Sequence, residues 1–203
     1  MAIAIETLMS IAQEEIPERA LTLEQEDVQA LVEWLSLKEN DIRYQAFLLL
    51  QEKSRLDASV YSYWDTFRSK LKSDNSYQRS LGVMLLAENV KWDIDGKMQT
   101  TLAEYLDILH DEKPITVRQC IQALKTIVSV ETKYNEEIAK ALLAYDNMAV
   151  KETMRKLILL DILSVLIEVR KSCDESEIDA YIYEALMGEI LDAKSKKTIE
   201  KQL

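Results

Sequence analysis

The chain has 203 residues, of which 48% are hydrophobic and 30% are charged, and its net charge is −11. It contains only three glycines and two prolines. Folds with many turns or barrel corners need more of both residues, whereas long helices exclude them, so the composition predicts an all-α protein. The acidic balance disfavours nucleic acid as a partner, because nucleic-acid-binding proteins present a basic face to phosphate.

The cysteines and the apolar segments bear on where the protein works. Cys120 lies in the apolar run "VRQCIQALKTIV" and is expected in the core, whereas Cys173 in "RKSCDESE" is expected to be exposed. Two such cysteines form no disulfide framework. The first residues lack the basic start of a signal peptide, and Asp161 and Glu168 interrupt the longest apolar run. We therefore expect a cytoplasmic protein without membrane contact.

The N-terminal segment, residues 1–21, is predicted to cap the fold. The stretch "AIAIETLMSIAQ" has the pattern of a short amphipathic helix that breaks near Pro17. Thr22 and Gln25 then form a possible capping box for the next helix, which ends near Leu35.

A helix-turn-helix pattern recurs four times behind this cap. In each copy a leucine ends one helix, a short polar turn follows, and a basic residue is followed three positions later by a small or apolar residue. The copies are "LSLKENDIRYQAFLLL" from Leu35, "LKSDNSYQRSLGVMLL" from Leu71, "LHDEKPITVRQCIQAL" from Leu109 and "LLAYDNMAVKETMRKLI" from Leu142. The leading leucines lie 36, 38 and 33 residues apart, and such a period indicates a stack of helix pairs.

Each turn carries its own helix-start chemistry. Asparagine and aspartate side chains can cap the free amide groups of the helix that follows. They occur in three turns, as Asn40-Asp41, Asp74-Asn75-Ser76 and Asp146-Asn147. In the third copy Pro114 takes a first-turn position, where its missing amide costs nothing. The partner helices lie between the copies, in "ASVYSYWDTFRSKL", "KMQTTLAEYLDIL" and "TKYNEEIAKALL".

The C-terminal segment, residues 171–203, is predicted to close the stack as a second cap. Ser172 and Glu175 form a possible capping box ahead of the helical pattern "IDAYIYEALMGEIL". The final residues, "KSKKTIEKQL", are predicted to be a basic, frayed helix end, whose lysines suit the helix dipole.

The order of leucine, acidic or asparagine turn, apolar residue, arginine and small residue resembles the second-helix pattern of HEAT-like repeats. The resemblance spans residues 22–170. The fourth copy departs from it, with Lys151 in the arginine position and Arg155 one helical turn further on, and Gln78 takes an apolar position in the second. The resemblance implies one HEAT-like repeat domain over residues 1–203, folded as a right-handed α-α superhelix of about five helix pairs, related to armadillo solenoids.

The repeated basic residue has a structural interpretation. A side chain at the start of each second helix can reach an aspartate or a carbonyl group in the turn of the neighbouring repeat. We therefore expect Arg43, Arg79 and Arg118 to fix the register between repeats rather than to bind a ligand.

Residue types that support catalysis are scarce in this sequence. His110 is the only histidine and is expected to be a turn residue in "LHDEKP". One histidine and two distant cysteines cannot assemble a zinc site. No glycine-flanked nucleophile is present, and three scattered glycines exclude a phosphate-binding glycine loop. We therefore expect no catalytic residue, cofactor or metal, and we favour a protein that is not an enzyme.

One enzymatic alternative stays open. Some HEAT-like stacks resemble the alkylpurine DNA glycosylases, which use aromatic residues, an aspartate and a basic concave face. The segment from Arg55 to Arg79 has five basic against three acidic residues, and it contains the pair Trp64-Asp65. Such a mixture could stack bases and hold phosphate. We nevertheless expect Trp64 and Trp92 to fill gaps between helices.

The second helices are expected to line the inner, concave face of the superhelix. Their polar positions are rich in amides and mixed in charge, and include Tyr44, Gln119, Gln122, Glu152, Arg155 and Lys156. Amides both donate and accept hydrogen bonds, so this strip suits a peptide or an extended protein segment, although plain solvated surface fits it equally. The sequence thus predicts a protein-binding scaffold or adaptor. A structural subunit or homodimer, joined through an apolar end at residues 2–12 or Leu186–Leu191, is a further alternative.

Overall fold

A computed structural model describes residues 2–172 and 176–203. Within these ranges the protein consists of helices and turns without a β-strand, which confirms the predicted all-α class. The α-helices are α1 (Ile5–Ser10), α2 (Ile16–Leu21), α3 (Gln25–Trp34), α4 (Asn40–Leu56), α5 (Trp64–Lys70), α6 (Ser76–Asn89), α7 (Lys97–Leu106), α8 (Pro114–Val130), α9 (Asn135–Leu143), α10 (Glu152–Arg170), α11 (Ser176–Met187) and α12 (Ala193–Glu200). Short 3-10 helices cover Gln13–Glu15, Ala58–Tyr63, Val90–Trp92, Asp107–His110 and Thr132–Tyr134.

The packing divides the chain into two compact units, Met1–Leu102 and Ala103–Leu203. In the first unit α4 is the central helix, because α1, α2, α3 and α6 all pack against it, while α5 packs against α6. The side chains that close this core are fully buried and include Leu31, Leu35, Leu49, Leu50, Trp64, Phe67, Leu85 and Leu86. Removing each such side chain from water stabilises the fold by about 1.5–3 kcal/mol.

In the second unit the pair α8 and α10 forms the largest helix contact, and α9, α11 and α12 also pack on α10. Its fully buried side chains include Ile121, Leu124, Ile127, Ile138, Leu142, Ile158, Ile162, Leu163 and Leu166. Cys120 lies in this core, as predicted, and burial raises the pKa of its thiol. Cys173 lies outside the described residues. So does Glu175, one of the two residues of the predicted C-terminal capping box.

Two of the predicted helix starts are confirmed. The side chain of Asn75 accepts a hydrogen bond from the backbone N–H of Tyr77 at 2.9 Å, which caps α6. Pro114 is the first residue of α8, a position where the backbone N–H has no acceptor within the helix, so the missing N–H of proline costs no hydrogen bond. Local sequence therefore sets where these two helices begin.

Two other turns differ from the prediction. Asn40 is already the first residue of α4, and its side chain accepts a hydrogen bond from Arg43 rather than from a helix amide. Asp146 accepts from the N–H of Met148 at 2.9 Å and so tightens its own turn, because α10 begins only at Glu152.

The capping box predicted from Thr22 and Gln25 is wrong. The box that opens α3 consists of Glu24 and Asp27, where the Asp27 carboxylate accepts the backbone N–H of Glu24 at 2.9 Å. Thr22 still belongs to the end of α2, because its N–H and its hydroxyl both donate to the carbonyl of Arg19.

Both chain ends also differ from the predicted caps. The first helix ends at Ser10, and Pro17 lies in the first turn of α2 instead of breaking a helix, because that position needs no amide donor. The basic C-terminal stretch is not a frayed end. It forms α12, which Asp192 caps by accepting the N–H of Ser195 at 2.8 Å and whose Ile199 is buried within the second unit.

Candidate functional site

An arginine occupies the start of each helix that follows one of the four turns. It is the fourth residue of α4, α6 and α10 and the fifth of α8. These arginines, Arg43, Arg79, Arg118 and Arg155, lie 36, 39 and 37 residues apart.

The fourth copy is therefore shifted by one helical turn from the predicted alignment. Arg155 takes the position assigned to Lys151, which lies exposed just before α10. Ile158, fully buried, replaces the predicted Met154 as the residue three positions later. The shift arises because the connection between α9 and α10 is longer than the other three.

Two of these arginines hold the turn that precedes their own helix. Arg79 donates from Nη1 to the carbonyl of Ser73 at 2.7 Å. Arg155 donates in the same way, from Nη2 to the carbonyl of Met148 at 3.0 Å and from Nε to that of Val150 at 3.1 Å. The side chain of Arg155, predicted for ligand contact, is thus used to shape a turn.

The other two arginines contact a side chain of the next arginine-bearing helix in the chain. Arg43 of α4 places Cζ 4.6 Å from the ring centroid of Tyr77 in α6. Arg118 of α8 donates from Nε to Oδ2 of Asp161 in α10 at 2.6 Å. Both contacts are made to the neighbouring helix rather than to the neighbouring turn, where they were expected.

Amide and lysine side chains extend the polar contact between α8 and α10. Gln122 donates from Nε2 to Oδ1 of Asp161 at 3.0 Å, so this carboxylate is shared with Arg118. Lys125 donates to the hydroxyl of Ser164 at 2.7 Å. The predicted amide-rich strip is therefore partly used to join the two helices.

Replacing Asp161 by alanine is expected to lower the free energy of unfolding by about 1–3 kcal/mol, because hydrogen bonds from two side chains to a mostly buried charge are lost. The exposed pair between Lys171 and Glu168 is the control. Lys171→Gln should change the free energy of unfolding by less than about 0.5 kcal/mol. Urea unfolding of both variants provides the comparison, and an Asp161→Ala value no larger than the control would contradict the bridging role.

The six predicted contact residues separate into two groups. Gln122, Arg155 and Lys156 have partners within the protein, and the partner of Lys156 is Asp192 at the start of α12. The structure leaves Tyr44, Gln119 and Glu152 without a hydrogen-bond partner among the described residues. Tyr44, in the first unit, is 51% exposed.

Two apolar residues that the sequence analysis did not single out lie exposed on α8 and α10. Ile115 is 68% exposed and Leu157 is 38% exposed. Ile115 shares a helix face with Gln119 and Gln122, which follow it by four and seven positions, and Leu157 shares one with Asp161. We call this surface the α8/α10 face, and it comprises Ile115, Arg118, Gln119, Gln122, Lys125, Leu157, Asp161 and Ser164. Both Ile115 and Leu157 could have been identified from the sequence, because each is a large apolar residue outside the buried face of its helix.

The tryptophan of the segment Arg55 to Arg79 belongs to the core, whereas Tyr61, Tyr63 and Tyr77 are half-buried. Trp64 is fully buried, and its indole N–H donates to the hydroxyl of Thr101 at 3.1 Å. Trp92 donates to the carbonyl of Ser54 at 2.7 Å. Trp64 fills a gap between helices, as predicted, and its ring offers no face to a base, whereas Trp92 is only half-buried.

The aspartates beside these tryptophans also have structural partners. Asp65 pairs with Lys97 at 3.0 Å. Asp93 accepts the backbone N–H groups of Lys97 and Met98, each at 2.8 Å, and so holds the start of α7. Asp93 also accepts the hydroxyl of Tyr61 at 2.7 Å, and burial together with this carboxylate raises the pKa of that phenol.

His110 ends the 3-10 helix Asp107–His110 and is exposed, as predicted for a turn residue. In the described ranges, no three His, Cys, Asp or Glu side chains are grouped so that they could hold a metal ion. Nor does any helix of that part of the chain combine the length and apolarity needed to cross a bilayer.

The α8/α10 face thus combines exposed aliphatic groups, amides and a shared ion pair. These groups can make apolar and hydrogen-bonded contacts with another molecule. A scan against protein-family models finds no match to this chain, and a search of curated proteins finds no similar sequence.

Proposed function

We propose that this protein is a HEAT-like, right-handed α-α superhelix of about five helix pairs that acts in the cytoplasm as a protein-binding scaffold. The recurrence of an arginine at the start of α4, α6, α8 and α10 supports the repeat architecture. Each helix pair of a stack can cover its apolar face only by packing on a neighbouring pair. Arginines that contact the next helix are consistent with that arrangement. The scaffold performs no chemistry of its own.

The observation that carries the binding role is the exposure of Ile115 and Leu157 on the α8/α10 face. Protein interfaces place apolar side chains among polar groups that can form hydrogen bonds, and the amides of Gln119 and Gln122 provide such groups here. Because Asp161 is already held by Arg118 and Gln122, the polar part of this face is ordered before a partner arrives. Less conformational entropy is then lost on binding.

The double variant Ile115→Asp, Leu157→Asp is expected to lose its partner while it keeps its fold. Each added carboxylate would have to give up water inside an interface, so we expect binding at least about tenfold weaker. The purified chain is used at low salt to capture proteins from an extract of its native host, and the captured proteins are quantified for wild type and variant by mass spectrometry.

The matched control is Ile94→Asp, which introduces the same charge at a residue that is 93% exposed and lies outside the α8/α10 face. This control should capture the same proteins as the wild type. Retention of every captured protein by the double variant, or enrichment of nucleic acid that salt releases, would contradict the proposal. Circular dichroism of all three proteins verifies that the fold is unchanged.

A further inference from the structure

A cavity of about 390 Å³ lies in the first unit, where the turn after α3 meets the end of α5 and the turn before α6. Three of the residues that line it are basic, namely Lys38, Arg43 and Lys70. No aspartate or glutamate is among the described residues that line this cavity. Such a concentration of positive charge stands out in a chain whose net charge is −11.

Lys70 is the central feature of the cavity, because it is a buried charge with neutral partners. Its side chain is only 8% exposed. The ammonium donates to Oε1 of Gln78 at 2.5 Å and to the hydroxyl of Ser36 at 3.3 Å. Burial, and then the positive charge of Arg43, lower the pKa of Lys70. Buried charges in proteins are normally paired with an opposite charge, and none of the described carboxylates pairs with this one.

Arg43 supplies a second positive charge and an unused donor. Its guanidinium lies over the ring of Tyr77, and its Nη2 donates to Asn40. The Nε atom is buried and has no hydrogen-bond partner among the described residues. A guanidinium carries five donors in a rigid planar fork that matches the oxygens of carboxylates and phosphates.

We propose that this cavity binds the dianionic phosphoryl group of a phosphate monoester, with Lys70 and Arg43 as its charged contacts. A phosphoryl group carries a charge of about −1.5 to −2 at neutral pH and so matches the buried Lys70 and the half-buried Arg43 together, whereas a carboxylate would neutralise only one of them. The hydroxyl of Ser73, which also lines the cavity and accepts the backbone N–H of Asn75, can donate to a further phosphoryl oxygen.

The cavity opens to solvent, so it can hold the phosphoryl group while the attached substituent lies outside it. Its volume of about 390 Å³ lies within the usual range for ligand cavities, about 300–1,000 Å³. The phosphoryl group could come from a small metabolite or from a phosphorylated side chain, and both present the same chemistry to Lys70 and Arg43. The site is independent of the α8/α10 face, and neither proposal depends on the other.

Calorimetric titration of the full chain tests the site with inorganic phosphate, O-phosphoserine and acetate. We expect phosphate and O-phosphoserine to bind and acetate to bind at least tenfold more weakly. Lys70→Met and Arg43→Gln should each weaken phosphate binding at least tenfold. The control Lys194→Gln removes the same charge from the exposed surface of α12 and should leave it unchanged. Absence of phosphate binding by the wild type, or equal binding of acetate, would overturn the proposal.

Thermal unfolding separates a binding role of Lys70 from a structural one. Without phosphate, Lys70→Met should melt at or above the temperature of the wild type, because it removes an unneutralised buried charge. Phosphate should raise the melting temperature of the wild type and leave that of the variant unchanged. A variant that melts lower than the wild type and still gains stability from phosphate would show that Lys70 only supports the fold. Arg43→Gln, at a half-buried position, provides the same comparison should the first variant not fold.

Ligands that carry the phosphoryl group on different substituents distinguish its two possible sources. The substituent of the natural ligand should raise the affinity above that of inorganic phosphate. Tighter binding of a phosphoserine peptide than of O-phosphoserine would indicate a phosphorylated protein segment. Tighter binding of a sugar phosphate than of the peptide would indicate a small metabolite.

Discussion

Replacing Trp64 by alanine is expected to lower the free energy of unfolding by about 3–5 kcal/mol, because the largest buried side chain of the first unit is lost. The side chain is fully buried in the first unit and packs edge-on against Tyr61, with ring centroids 5.7 Å apart. Its removal leaves a cavity and also leaves the hydroxyl of Thr101 without the indole donor. Chemical unfolding followed by circular dichroism and by fluorescence measures the loss.

Two variants control this result. Tyr44→Ala truncates an aromatic side chain that is 51% exposed, so we expect a change within about 0.5 kcal/mol. Trp64→Phe keeps an aromatic ring in the core but removes the indole N–H. Its loss of unfolding free energy should lie between those of Tyr44→Ala and Trp64→Ala. A fully stable Trp64→Ala protein that had lost affinity for nucleic acid would instead support the glycosylase-like alternative, because Trp64 would then act on a ligand.

Replacing Gly82 by valine is expected to lower the free energy of unfolding by about 1–3 kcal/mol through overpacking. Gly82 lies on α6, where it faces the end of α5. A Cβ atom at this position would lie 2.9 Å from the carbonyl oxygen of Phe67 and 3.2 Å from both Cβ of Lys70 and Cδ2 of Leu71. The nearest of these atoms belongs to the backbone, so the contact can relax only if the two helices move apart.

Gly82→Ala tests the sign of this effect. Alanine gains about 1 kcal/mol over glycine from helix propensity alone, so a freely moving α5 would make the variant more stable than the wild type. We expect a net loss, since the Phe67 carbonyl oxygen cannot yield without moving α5. Thermal unfolding of the alanine and valine variants should give a graded decrease, and an increase for alanine would show that the close approach is not needed.

The sequence by itself determined the features that depend on local physical chemistry. Scarce glycine and proline excluded turn-rich folds. The apolar run around Cys120 and the aromatic character of Trp64 predicted that both side chains are buried, and the structure has both in the core. The starts of α6 and α8 followed from Asn75 and Pro114, because a cap or a proline acts on the few amides beside it. The starts of α3 and α10 could not be predicted in this way, since they depend on where the preceding segment ends. Thr22, for example, donates its backbone N–H to the carbonyl of Arg19 and so belongs to the end of α2 rather than to the start of α3.

Only the tertiary structure decided which polar side chains remain available to a partner. The sequence pattern of amide and charged side chains is the same whether or not these side chains have hydrogen-bond partners within the protein. Gln122 and Lys156 are paired with residues 39 and 36 positions further along the chain, and no local pattern carries such a separation. Lys70 is the clearest case. Its neighbours in the sequence suggest an exposed lysine, and it becomes buried beside Arg43 because Gly82 lets α5 approach α6 closely.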